Sequence, residues 1–338
     1  MNIRVSVIFL LSLFILVGCY NFDNPVDPDA ENYQGYRSDP ITGWPYIREI
    51  TVTNTGGALS DYQVAVRLST TSMGSPYQNV NADGSDLRFK DQSTTDLSFW
   101  TESWDNTGDS LIWVKIPSIP AGSSTVYMTY GNASAVSLSD GGATFLFFDD
   151  FEDHAAGDFA DGWSPAATYQ VADDGGLKVL DDGTGSGEAV VAGFINSQSA
   201  STRDRFRSVD GVIDYAGLVL WYASDTHMIY AGPQTVSIGS MWEKNGQPNF
   251  TLIGSSFPIS PTLDTNWHTQ EVSVSVTSLT VRIDDAVVGT GSTSFGSSGG
   301  RTGFWSQYNG HRAYHDWHLV RKYATPEPEA VVGAEVAL

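Results

Sequence analysis

The residues best placed to bind something are aromatic side chains next to amides on turns. Met241-Trp242-Glu243-Lys244-Asn245-Gly246 and Gln307-Tyr308-Asn309-Gly310 read as turns, where an aromatic ring has little core to enter. Trp221, Tyr222, Tyr230 and Trp305 flank similar breaks. An exposed ring can stack on the apolar face of a pyranose while a nearby amide bonds its hydroxyls. The candidate ligand residues are therefore Trp221, Tyr222, Tyr230, Trp242, Trp305 and Tyr308, with Asn245, Gln307 and Asn309 beside them. Trp113, Trp267 and Trp317 read as core.

A second cluster is acidic. Asp149, Asp150, Glu152 and Asp153 fall close together, and calcium takes roughly six to eight oxygens, mostly from carboxylates and carbonyls. Asp149, Asp150 and Glu152 are thus candidate ligands of a structural calcium ion. Asp316 joins them if the first and last strands of that unit lie together. The competing reading is a solvated strand edge followed by a turn. In His315-Asp316-Trp317-His318, Asp316 and His318 share a strand face but lack a third metal ligand. Ser298 sits in a Gly-x-Ser-x-Gly pattern, yet that pattern needs a strand-to-helix elbow, and this stretch reads as a loop. There is no His-Glu-x-x-His helix and no phosphate-cradling glycine loop.

Cys19 is the sole cysteine. Arg4 precedes an uncharged run from Val5 to Val17, and Gly18 follows. That is the layout of a secretory signal, too short to cross a bilayer. Leu16-Val17-Gly18-Cys19 resembles the lipobox of bacterial lipoproteins. The resemblance implies a signal peptide over 1–18, diacylglycerol on the Cys19 sulfur and an acyl chain on its amine. Tyr20, rather than aspartate, follows the cysteine, which by the same resemblance points to the outer membrane or cell surface.

The 338-residue chain carries 17 basic and 39 acidic side chains, a formal charge of −22. Such a surface repels phosphates and anionic headgroups, which excludes nucleic acid and electrostatic membrane docking. The lipid is then the expected membrane attachment. Residues 19–40 read as an acidic tether.

The elements that must position the candidates are strands. Glycine (34 residues) and aromatics (12%) are plentiful while charged residues are few (17%), a mixture that favours strands joined by tight turns. From 41 to 138 the hydrophobic period is two, as in Tyr62, Val64, Val66 and Leu68. Ser137 to Ala143 is a polar, glycine-rich break. The same grammar resumes over 145–325, as in Val272, Val274 and Val276, and 326–338 reads as a short tail. The pattern predicts an all-β protein with two consecutive jelly-roll-like β-sandwiches.

Two family resemblances emerge. Trp44-Pro45-Tyr46, Asp86-Leu87-Arg88-Phe89, Trp100-Thr101-Glu102-Ser103-Trp104 and Tyr127-Met128-Thr129-Tyr130-Gly131-Asn132 resemble the domain of unknown function 2341, over most of 41–138. Phe148-Asp149-Asp150-Phe151-Glu152, Trp267-His268-Thr269, Arg301-Thr302-Gly303-Phe304-Trp305 and Asp316-Trp317-His318-Leu319-Val320 resemble, in that order, the concanavalin A-like and laminin-G-like sandwiches. That superfamily includes sugar-binding modules and glycoside hydrolases. Its hydrolases usually carry Glu-x-Asp-x-Glu on one strand. This sequence has no such triple; Glu102 lies in the first unit, and Glu188 and Glu271 have no acidic partner two residues away.

The expected function is a lipid-anchored envelope protein acting as a non-catalytic glycan-binding or adhesion module. The expected partner is a polysaccharide or glycoconjugate, with a protein partner through the first unit as a further expectation. The alternatives are a scaffold lipoprotein and, third, a glycoside hydrolase.

Overall fold

The computed structural model describes residues 43–160, 162–164, 169–183, 186–195, 199–294, 299–307 and 311–338, with the backbone alone at 186–190, 193–195, 306 and 307. Residues 43–338 form one compact unit. It is nearly all β, built from antiparallel sheets in two sandwiches, as the periodicity predicts.

The first sandwich contains β1 (Tyr46–Asn54), β2 (Leu59–Leu68), a helical turn α1 (Thr70–Met73), β3 (Arg88–Lys90), β4 (Asp96–Leu97), β5 (Phe99–Ser103), β6 (Ser110–Ile119) and β7 (Gly122–Tyr130). A turn α2 (Gly141–Thr144), capped by Asp140, leads to the second sandwich. There β8 (Phe147–Asp149), β9 (Gln170–Asp174), β10 (Leu177–Asp181), β11 (Ser186–Ile195) and β12 (Ser199–Ser208) come first. Next are β13 (Gly217–Ser224), β14 (His227–Pro233), β15 (Ile238–Asn245), β16 (Thr251–Leu252) and β17 (Phe257–Pro258). Last are β18 (His268–Ser275), β19 (Ser278–Ile283), β20 (Ala286–Ser292), β21 (Gly300–Gln307) and β22 (Ala313–Lys322), followed by β23 (Glu329–Ala337).

One sheet of the first sandwich runs β23-β1-β7-β3-β4 and the other β2-β6-β5. Ile50, Val52, Val64, Val66, Phe89, Val114 and Met128 fill the space between them. The 326–338 stretch is therefore not a tail. Its strand pairs antiparallel with β1, Thr53 opposite Glu329 and Tyr46 opposite Ala337. Arg48 locks this pairing by donating to the Gly333 carbonyl and to Tyr130 Oη. The chain leaves the first sandwich, builds the second, and returns to complete the first.

In the second sandwich one sheet runs β20-β19-β18-β12-β22-β10-β9, with β8 also on β22, and the other runs β11-β21-β13-β14-β15, edged by β16 and β17. Leu218, Leu220, Ile229, Val272, Val274, Val281 and Phe304 lie between them. The outer face of the β22 sheet meets the β2-β6-β5 sheet of the first sandwich. Trp113, Leu111, Phe145, Trp317 and Leu319 are buried at that junction, with Trp100 and Phe148 packed on them.

Candidate functional site

Alternation on β13, β14 and β21 divides their side chains between the core and the outer face of the sheet. Val219, Met228, Tyr230 and Trp305 form an outer cluster joined by Tyr215, Tyr222, Trp242 and Phe250. The register explains this: Val219 lies opposite Tyr230, Tyr230 opposite Trp242, and Gly217 opposite Trp305. Ring centroids of Trp305 lie 5.0 Å from Tyr230, 5.3 Å from Phe250 and 5.6 Å from Tyr215. A Cβ on Gly217 would stand 2.4 Å from the Tyr230 ring, so glycine makes room for it. Lys244 Nζ lies 4.4 Å from the Phe250 ring centroid, and Trp242 Nε1 donates to Ser240 Oγ at 2.7 Å.

The structure thus brings Tyr222, Tyr230, Trp242 and Trp305 onto one face. Two aromatics of this face, Tyr215 and Phe250, escaped the sequence reading, although Phe250 follows Asn249 at the end of a Gly-Gln-Pro-Asn turn. Tyr222 and Trp242 are half-buried, whereas Tyr230 and Trp305 lie beneath their neighbours. Asn245 ends β15 and is exposed.

Trp221 is a correction. Period two would turn it outward, but it is fully buried among the inner core residues. The β13–β21 register shifts between Val219 and Tyr222, and Trp221 takes φ +51°. This bulge adds a residue and swings the indole inward. Gly300 faces it, where a Cβ would stand 2.5 Å from the Trp221 carbonyl carbon. Tyr308, Asn309 and Ser298 lie outside the described residues, as do Cys19 and the tether; Gln307 is described in its backbone only.

Carboxylates flank the aromatic face. Tyr222 Oη donates to Asp225 Oδ1 at 2.7 Å on the β13–β14 turn. Burial chiefly raises the Tyr230 phenol well above its ordinary range, with Tyr215, Tyr169 and then Asp214 adding to it.

The opening acidic cluster divides instead of converging. Asp149 turns toward the core, where Trp163 Nε1 donates to Oδ2 at 2.6 Å and the Phe151 amide to Oδ1 at 2.8 Å. Asp150 is exposed, and Glu152 accepts from the Lys178 amide. Asp316 does lie near this group, as expected, but Arg205 Nη1 bonds its Oδ2 at 2.7 Å. Burial chiefly raises the Asp316 carboxyl, and Glu152 and Asp150 raise it further. The set expected to hold calcium therefore does not form one shell. The grouping with ligand atoms mutually within 4.8 Å is Asp149, Asp153 and His154, whose histidine nitrogen is foreign to the all-oxygen shell calcium prefers.

Glu102 and Glu271, far apart in sequence, meet through Arg203. Both carboxylates and the guanidinium are buried, so this pair joins the sandwiches. Trp267, expected in the core, is half-buried under the guanidinium groups of Arg205 and Arg207.

The family model "Domain of unknown function (DUF2341)" matches residues 83–165. That span begins later than the sequence motifs suggest and crosses the 137–143 break into the opening of the second sandwich. No curated protein matches the chain. Among solved structures it is similar to a GH43 protein, BlXynB, of Bacillus licheniformis, at 12% identity over 60% of this chain and 47% of that one, with TM-score 0.40. It is also similar to a mixed-linkage-glucan GH16 protein of Bacteroides ovatus solved in complex with product, at 14% identity over 52% of this chain and 100% of that one, with TM-score 0.36. A third is a xyloglucan-locus GH43B of Bacteroides ovatus, at 15% identity over 68% of this chain and 46% of that one, with TM-score 0.39. The chain spans about half the length of the GH43 structures it matches. These neighbours are glycoside hydrolases, against the expectation of a non-catalytic adhesion module.

Proposed function

We propose that this chain processes a glycan laid across the aromatic face of its second sandwich, outside the cytosol and tethered by a lipid on Cys19. The observation that carries this reading is the gathering of the half-buried rings of Tyr215, Tyr222, Trp242 and Phe250 over Tyr230 and Trp305 on one sheet face. Ring faces bind pyranoses without needing charge, which suits a chain as acidic as this one. Asp225, held by Tyr222 Oη, and Asp214 are the candidate acid and base of that hydrolysis. The carbohydrate complexes among its structural neighbours accord with a glycan partner at a coarse level.

The test is release of reducing ends from mixed-linkage glucan, xyloglucan and xylan by the mature protein. Hydrolysis of one of them, lost in Asp225→Asn or Asp214→Asn and weakened in Trp242→Ala, is the expected result. A folded protein that releases no reducing ends from any of them would overturn the proposal.

A further inference from the structure

A second concave site lies away from the aromatic face, where the two sandwiches meet. It is an open cleft of about 440 Å³, lined by Trp100 from β5, Phe148 from β8, Ser137, Ser139 and Asp140 from the connecting segment, and Asp150. Three features of its wall bear on what it can hold.

The first is aromatic. Trp100 and Phe148 are half-buried, their centroids 5.0 Å apart and nearly edge-to-face, and Trp317 supports Trp100 from beneath at 5.1 Å. The second is negative charge. Asp140 and Asp150 line the cleft, and neither forms an ion pair among the described residues. The Asp140 Oδ1 caps Ala143, which leaves its other oxygen for a ligand. The third is that neighbouring basic groups bond other partners, and none is bonded to Asp140 or Asp150 among the described residues. Lys115 Nζ donates to the Ala143 carbonyl, Arg205 is held by Asp316, and Arg88 bonds the carbonyls of Ser85, Leu87 and Val136. Carboxylates beside an aromatic face attract an organic cation, and the Ser137 and Ser139 hydroxyls can meet sugar hydroxyls. The volume falls within the range that holds small ligands.

We infer that this cleft binds an amino sugar with a free amine, its ammonium held by Asp150 and Asp140 and its ring faced by Trp100. The site is separate from the face proposed to process glycan, and the inference does not depend on that activity.

Titration calorimetry on the full-length protein tests it with three tetramers: glucosamine, N-acetylglucosamine and galacturonate. The expected result is binding of the glucosamine tetramer at least about tenfold tighter than its acetylated counterpart, with no binding of the galacturonate. That preference should shrink as salt rises, vanish in Asp150→Asn, and persist in Trp242→Ala. Asp140→Asn, which keeps the cap because asparagine serves equally well there, should weaken it as well. Equal affinity for the two amino-sugar tetramers would overturn the inference, as would no binding of either. A preference that survives both aspartate substitutions, or is lost in Trp242→Ala, would overturn it too. Reducing-end release is measured separately, so failure of one proposal leaves the other readable.

Discussion

Arg203 of the second sandwich grips Glu102 of the first, its Nη2 lying 2.6 Å from Oε1 and its Nε 3.1 Å from Oε2. The same guanidinium bonds Glu271 through Nη1 at 3.2 Å, and Glu271 in turn bonds Arg321 at 2.6 Å. Arg321 reaches Glu327, on the segment that carries the chain back to β23. Burial opposes the charge on Arg203, but Glu102, Glu271 and Asp285 outweigh it and raise its affinity for the proton. For Glu271 burial again opposes ionisation, and Arg321 and Arg203 hold its carboxyl far below the usual range. The network therefore stays ionised and ties both sandwiches to the returning chain.

Removing Glu102 strips Arg203 of its two-pronged partner but leaves Glu271 and Asp285 to balance the charge, so the cost is that of a charged hydrogen bond, about 1.5–3 kcal/mol. Glu102→Gln should lower unfolding stability by that order in urea titration, and a loss under about 0.5 kcal/mol would contradict the buried-network account.

Cutting the chain after Ala324 should destabilise the first sandwich most, while also taking Glu327 from Arg321. It removes β23 from β1, together with the Tyr130–Glu335 hydrogen bond. At roughly 1 kcal/mol net for each lost ladder bond, the cost should be on the order of several kcal/mol. Hydrogen exchange along β1 measures it; unchanged protection there would refute the role given to β23.

His318 makes stability fall in acid. Burial, then the neighbouring His315, lowers its proton affinity from 6.5 to about 3. Its Nε2 lies 3.2 Å from Thr202 Oγ1 and 3.0 Å from Thr302 Oγ1. A depressed folded value means that the contribution is complete above pH 6.5 and lost as pH falls toward about 3. The slope from this group approaches about 1.4 kcal/mol per pH unit. Melting curves of His318→Gln should lack that component between pH 6 and 4; an unchanged slope would rule it out.

Gly300→Ala should cost about 1–3 kcal/mol by overpacking, since the new methyl meets Trp221 backbone, not a side-chain tip. Near-ultraviolet circular dichroism should report the displaced indole. A variant as stable as the parent would show that the bulge can yield.

Cys19→Ser should abolish incorporation of labelled palmitate into the protein. Label that persists in the variant would refute lipid attachment at this thiol.

Fold class and most strand positions are legible in the residue pattern alone. Alternation in β2 and β19 buries chiefly one face of each, and a single chain expresses that period locally. The Asp284-Asp285 turn was equally legible, and both residues take positive φ as a tight hairpin demands. Only the tertiary structure decided what depends on distant contacts. Trp221 follows the alternating pattern in sequence, but a bulge set against Gly300 sends it into the core. Residues 329–337 carry no signal that they pair with β1, because register between remote strands is fixed by packing and not by local propensity. The cleft at Trp100 and Asp150 belongs to neither sandwich alone. It exists because β6 and β22 bury tryptophans against each other, and that contact brings together walls lying far apart along the chain.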